Sequence, residues 1–190
     1  MIKPFLAGER VYLRPVQKSD YETIHTVTQD SEIRRLTGTQ DFLTYAKIER
    51  AYEAFALEKN RFDLMIVLKE NDQIIGDLAL LDIDYLNRTS SVRIAIHQEE
   101  YMGNGYGTEA LSLILNHAFM SLNIRRVGLN VYAFNARAIS SYQKLGFRQE
   151  GIIRGEIFSN GEYHDNILMG VFAEEFFTAK QERGKNDDLH

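Results

Sequence analysis

The chain has 190 residues, 44% hydrophobic and 26% charged, with a formal net charge of −5 and no cysteine. That length suits one domain able to bury its own core, and the composition is that of an ordinary globular protein. The absence of cysteine excludes disulfides, cysteine metal sites and a thiol nucleophile, and no window nears the roughly 18 uninterrupted apolar residues of a membrane span. Scattered Lys and Arg under a negative net charge argue against nucleic acid and mildly favour a cationic substrate. Charge arrives too early after Met1, at Lys3, Glu9 and Arg10, for a signal peptide. A cytoplasmic protein is therefore expected.

Along the chain, Val11-Tyr12-Leu13-Arg14-Pro15 alternates and stops at proline, which predicts a first edge strand. Ser19-Asp20 predicts the N-cap region of a short helix reaching Thr28. Ile48, Ala51, Tyr52 and Phe55 recur at helical spacing and predict a helix over 44–60. Apolar runs at 64–68 and 74–81, joined by Asn71-Asp72-Gln73, predict a hairpin. Asn87-Arg88 opens a turn before the apolar run 92–96.

That run leads into Gly103-Asn104-Gly105-Tyr106-Gly107-Thr108, which holds three of the 13 glycines in six residues, and then into the helix-forming Glu109-Ala110-Leu111. In a strand, glycine turn and helix start, the unpaired N–H groups of the first helical turn point at an anion, helped by the helix dipole. Alternating glycines let the backbone come close to it. A phosphate or pyrophosphate ligand is implied. A Walker loop would need Gly-Lys-Ser/Thr, but Thr108-Glu109 follows Gly107. A dinucleotide fingerprint needs G-x-G-x-x-G and an acidic residue about 20 positions on, where this chain reads Arg125-Arg126-Val127.

Past the loop, Leu111, Leu115, Ala118 and Leu122 predict an amphipathic helix. A strand over 127–132, a helix over 136–145 ended by Gly146, and strands over 147–150 and 166–172 follow. The mixture indicates an α/β or α+β fold in one domain over 1–178, with a polar tail over 179–190 expected to fray.

Some thirty residues after the loop stands Asn135-Ala136-Arg137-Ala138-Ile139-Ser140-Ser141-Tyr142-Gln143-Lys144-Leu145-Gly146-Phe147. Loop plus N-x-x-A-x-x-x-Y-x-K-x-G-F resembles the GNAT superfamily of acetyl-coenzyme A-dependent N-acetyltransferases. Gly105-Tyr106-Gly107-Thr108-Glu109-Ala110 and Gly161-Glu162-Tyr163-His164-Asp165-Asn166 resemble the branch holding ribosomal-protein N-terminal alanine acetyltransferases and spermidine acetyltransferases. The likeness spans about 9–176.

The resemblance implies a mixed, mostly antiparallel sheet flanked by helices and splayed around the cofactor. It implies acetyl transfer from acetyl-CoA to a primary amine through a direct ternary complex, with no metal. The acceptor class (protein N-terminus, polyamine or another small amine) stays open. Cofactor contacts fall on Ile94, Ile96, Met102, Gly103, Asn104, Gly105, Tyr106, Gly107, Thr108 and Asn135, and the general acid on Tyr142. Asn135 also reads as a helix N-cap. A tyrosine near pKa 10 protonating a thiolate near 8.5 is uphill by about 2 kcal/mol, a gap that a modest lowering of the tyrosine would close. The family pattern usually carries Arg or Gln where this chain has Met102, and many relatives carry Glu at the position of Ser91. Asp82, Asp84, Glu100, His97, His164 or a water chain are left as the base, and no paired spacing makes the histidines metal ligands. Relatives often dimerise, and the apolar stretch 172–177 offers a contact for a homodimer. A non-catalytic acyl-CoA sensor on the same fold is the competing function.

Overall fold

The computed structural model describes residues 3–187. One eight-stranded sheet runs in the order β1-β2-β3-β4-β5-β6-β8-β7. Its first half is an antiparallel meander of β1 (Leu6–Ala7), β2 (Val11–Pro15), β3 (Phe62–Leu68), β4 (Ile74–Asp84) and β5 (Thr89–Ile96). The second half is β6 (Arg126–Tyr132), β8 (Glu162–Phe172) and β7 (Arg148–Ser159), also antiparallel. The halves meet in the one parallel pairing, Thr89, Ser90 and Ser91 of β5 against Arg126, Val127 and Gly128 of β6. Beyond Ser91 and Gly128 the two strands part. Each keeps its outer neighbour, β4 as far as Ile96 and β8 as far as Tyr132. A slot therefore opens inside the sheet, lined on both sides by strand edges without a partner among the described residues.

Period-two alternation gives each strand one side chain per face. On one face Val92, Val127, Leu129 and Val131 pack with Leu111, Ile114 and Leu115 of α4 (Tyr106–Met120) in the larger core. Residues of α5 (Ala136–Gln143), Ile139 and Tyr142, pack against the same core. On the other face Tyr12, Met65 and Val67 pack with Tyr21 and Ile24 of α1 (Tyr21–Val27) and Ile48 and Tyr52 of α3 (Tyr45–Phe55). Residues 18–20 form a turn of 3-10 helix ahead of α1. Asp20 does not cap α1 with its side chain; its carboxylate instead holds Arg14 at 2.7 Å in a buried ion pair.

Several expectations change. The strand at 11–15 is not the edge, because Leu6–Ala7 pairs outside it and both Val11 and Leu13 are fully buried. The helix expected to reach residue 60 ends at Phe55. α2 (Ser31–Thr37), between Asp30, whose side chain accepts from the Ile33 N–H, and a left-handed Gly38, was not expected at all. β7 and β8 are 12 and 11 residues long rather than short strands, joined at Asn160-Gly161 with both φ positive. In the stretch 172–177, Phe176 on α6 (Ala173–Asp187) has no exposure and packs its ring 5.5 Å from Phe119, whereas Phe172 and Phe177 are half-buried. That helix runs on through the polar residues from 179 as far as Asp187, where fraying was expected, and 188–190 lie outside the described residues.

Candidate active site in the sheet opening

The slot widens into a cavity of about 700 Å³ bounded by β5, β6, α2, the glycine turn and α5. Ile94, Ile96, Met102, Gly103, Gly105, Gly107, Thr108, Asn135 and Tyr142 all line it. Asn104 and Tyr106 do not. Asn104 turns its amide to the Glu100 carbonyl at 2.7 Å, and Tyr106 lies beneath the Arg10 guanidinium, 4.7 Å from ring centroid to Cζ.

The glycine turn owes its shape to left-handed backbone at Gly103 (φ 79) and Gly105 (φ 83), where L side chains are strained. Gly105 is the N-cap of α4 and supplies no side-chain cap, so the first-turn N–H groups of Tyr106, Gly107 and Thr108 lack a side-chain acceptor. α5 differs, because its N-cap Asn135 accepts from the Ala138 N–H at 3.2 Å. Around the turn stand cations. Arg10 reaches the Asn104 carbonyl at 2.9 Å and the Glu109 carboxylate at 3.0 Å. Burial would raise Glu109, but N–H groups of Arg10 and Val11 and the Arg10 charge outweigh it and hold the carboxyl below its usual range. Arg137, which sequence reasoning passed over, lines the cavity with Nη2 2.8 Å from the Met102 sulfur. A guanidinium thus stands beside the position where the family pattern carries a polar residue. Lys144 lines the same cavity.

Tyr142 faces the cavity from α5 with its ring 5.9 Å from Phe147. Burial pushes its hydroxyl up to about 12, opposite to the lowering that would close the gap to a thiolate. Against an ordinary thiol near 8.5 the proton transfer is uphill by about 5 kcal/mol. Tyr142 is half-buried on the cavity wall, and the same surroundings disfavour a bare thiolate, which narrows the gap for a sulfur lodged beside it.

The opposite side of the slot is chemically different. Ile33, Leu36, Thr37 and Thr39 of α2 and its following turn face Asn130, Tyr132 and Asn166 across it. Gly38 fits so closely that a Cβ there would collide with the Tyr132 hydroxyl. Burial and then the Glu156 charge raise Tyr132 above the ordinary tyrosine value. Asn166 is 4% exposed and donates its Nδ2 to the Glu156 carboxylate, while its Oδ1 has no partner among the described residues.

Of the candidate bases, Asp82 alone lines the cavity, exposed on a left-handed bulge (φ 52) beside Ser91. Asp84 accepts from the Leu86 and Asn87 backbone and closes the 84–87 turn. Glu100 lies outside the cavity lining. His97 is buried with Nε2 2.8 Å from Asp77, which Arg93 also holds at 2.7 Å. Burial would raise Asp77, but the Arg93 charge and the His97 hydrogen bond outweigh it and keep the carboxyl low. His164 lies against the Phe134 ring, 4.9 Å between centroids, outside the cavity lining. No group of three or more His, Asp or Glu gathers as a metal site among the described residues.

Residues 10–148 match the acetyltransferase (GNAT) domain family. The chain belongs to that family. It is 33% identical over 176 residues to the SPbeta prophage-derived uncharacterized N-acetyltransferase YokL of Bacillus subtilis, covering 93% of this chain and 97% of the relative. It is 26% identical over 179 residues to the spermidine N(1)-acetyltransferase of Escherichia coli strain K12, covering 94% and 95%. Its fold matches the crystal structure of spermidine N-acetyltransferase from Vibrio cholerae in complex with CoA and spermine, with TM-score 0.82 at 23% identity over 90% of this chain and 99% of the other. This GNAT protein is an acetyl-CoA-dependent N-acetyltransferase. The uncapped turn, the neighbouring cations and the unpaired edge of β5 fit its cosubstrate, whose phosphates seek donors and whose amides can pair like a strand. No helix of the described residues is long and apolar enough to cross a membrane.

Proposed function

We propose that this acetyltransferase acts on a primary amine of a short aliphatic polyamine, in a direct ternary complex in which the cosubstrate and the amine enter the slot from opposite faces of the sheet. The observation that carries this reading is the sorting of charge across the slot. Arg137 and Lys144 line the cavity on the side of the glycine turn, whereas Asn130 and Asn166 lie on the α2 face with Arg93, whose charge is already taken by Asp77 and Asp63, and the exposed Asp82 carboxylate lines the same cavity. With that arginine already paired, the Asp82 carboxylate and the amide carbonyls favour a flexible polycation over an anionic or apolar acceptor. The spermidine acetyltransferase of Escherichia coli and the Vibrio cholerae enzyme bound to spermine are relatives with such acceptors.

In this reading acetyl-CoA supplies an activated thioester, and the chain supplies position, charge and a proton. N–H groups of Gly103 to Thr108 hold the pyrophosphate, with Arg137 taking over the polar contact absent at Met102. The β5 edge at Ile94 and Ile96 holds the arm, and Asn135 caps α5 so that Tyr142, two turns on, is fixed in place. The amine nitrogen forms its bond to the acetyl carbon as the carbon–sulfur bond breaks. The Tyr142 hydroxyl gives its proton to the leaving sulfur, and the amine's own proton leaves past the exposed Asp82 carboxylate, which stands by the closed end of the slot.

Release of free coenzyme A, measured over spermidine, spermine, n-butylamine and an alanine-starting peptide, tests the acceptor. The polyamines should exceed both others by about tenfold or more in kcat/KM, the worth of one extra charged contact. Preference for the peptide, with the polyamines ignored, would overturn the reading.

A further inference from the structure

Asn166 is a buried amide whose orientation the structure fixes. Its Nδ2 donates to the Glu156 carboxylate. Turning the amide over would set its oxygen against that carboxylate, so the carbonyl end must point away from Glu156. That end, Oδ1, is buried and unpartnered among the described residues, on a side chain that lines the cavity. A buried carbonyl left unpaired costs about 1–3 kcal/mol, so the site is built for a donor that arrives with a ligand.

Which ligand follows from the face. Ile167 packs into the core beneath α4, so the neighbouring Asn166 projects to the α2 face, away from the glycine turn and Tyr142. How far it lies from the reacting nitrogen follows from register. Asn166 pairs with Tyr132, four residues along β6 from Gly128, where the strands part. At about 3.3 Å per residue that is about 13 Å from the closed end of the slot. In the proposed reading the cosubstrate arm runs from the glycine turn along β5 toward that closed end, so the nitrogen to be acetylated lies deep and Asn166 lies near the open end of the slot. A single carbon spacer between neighbouring nitrogens is too short for that separation, whereas a triamine extended to its far nitrogen, with one hydrogen bond beyond it, spans it.

We infer that Asn166 is a specificity-determining residue, its Oδ1 accepting a hydrogen bond from an acceptor nitrogen other than the one that is acetylated. The inference rests on the polyamine reading and adds to it a residue, an atom and a second nitrogen. Glu156 has two parts in it. Its carboxylate fixes the direction of the amide, and its charge lies near enough to raise Tyr132 and to favour a cation in the same place. An ammonium or secondary ammonium donor meets Oδ1 without the loss that an ether or methylene at that position would incur.

The test compares the parent enzyme with Asn166→Leu, which keeps the size and removes both polar ends, using spermidine and n-butylamine as acceptors. Loss of a hydrogen bond to a charged donor should raise KM for spermidine about ten- to a hundredfold, with kcat within a few-fold. The kinetic constants for n-butylamine, which has no second nitrogen, and the directly measured affinity for acetyl-CoA should stay as in the parent. Unchanged KM for spermidine, or an equal loss on both amines, would overturn the inference and leave the polyamine reading standing. A parent enzyme that ignores spermidine while acetylating another amine removes both together. Should Asn166→Leu not fold, Asn166→Ser is read the same way, with a smaller rise in KM expected because a hydroxyl keeps part of the acceptor function.

Discussion

The two mouths of the slot are made of different materials. On the α4–α5 side the groups that face the opening are main-chain N–H groups at a left-handed turn, two strand edges and long cations. On the α2 side they are side chains: the Asp82 carboxylate, the Asn130 and Asn166 amides and the Tyr132 ring. Backbone donors hold a ligand that is always the same, since their geometry comes with the helix and tolerates most side-chain drift. Side-chain acceptors suit the ligand by which one enzyme differs from its relatives, because a single substitution changes them. In the proposed reading the contrast separates the binding of the cosubstrate from the choice of the acceptor.

The predictions that follow attack that division, and the first strikes where the two sides meet. Tyr142→Phe removes one oxygen and little packing, so the turnover number should fall by roughly 10²–10⁴ while directly measured acetyl-CoA affinity stays nearly constant. Near-normal turnover on a good acceptor would reduce Tyr142 to a packing residue. Gly105→Val should damage the backbone side alone. At φ 83 a β-branched residue is strained, and its Cβ would press on Arg10 Nη2 at 3.1 Å. Calorimetry should show acetyl-CoA bound about ten- to a hundredfold more weakly, with the acceptor KM little changed.

Asp82→Asn addresses the side-chain mouth. It should raise the KM for a cationic acceptor about three- to tenfold, less so at high salt, and leave acetyl-CoA affinity alone. Equal effects on both substrates would dissolve the division. The smallest expected change is none. With burial pushing Tyr142 up to about 12, the phenol keeps its proton well beyond the ordinary tyrosine range. The pH profile of kcat should therefore show no alkaline decline near 10. A decline there that vanishes in Tyr142→Phe would mean a far less buried hydroxyl.

The same contrast decides how much was legible in the sequence. Gly103 to Thr108 and Asn135 to Phe147 are contiguous, and contiguous backbone geometry leaves a local signature in glycine spacing and caps. The α2 mouth is gathered from residues 33–39, 82, 130–132 and 166, which share no local pattern. Only the strand register brings Asn166 opposite Tyr132. α2 itself did leave a signal, an Asp30 N-cap, Glu32 in the first turn, Arg34 and Arg35 in the last and Gly38 after it. Asn160-Gly161 between alternating runs likewise marks the long β7–β8 hairpin. The rise of Tyr142 was illegible, because it depends on what packs around the hydroxyl and the motif says nothing of that.

The parting of β5 from β6 after three residue pairs has a consequence for isotope labelling. Along Val92 to Ile96 every second amide hydrogen is tied to β4, and the ones between point into the slot; Leu129 to Tyr132 repeat the arrangement with β8. In deuterated buffer the free enzyme should then exchange these strands in an alternating pattern, slow, fast, slow, along sequence that a strand diagram would draw as uniformly paired. Coenzyme A lying along β5 should slow the fast amides of that strand and leave those of β6 fast. The protein thus carries within its own backbone a residue-by-residue gauge of which strand the cosubstrate has joined.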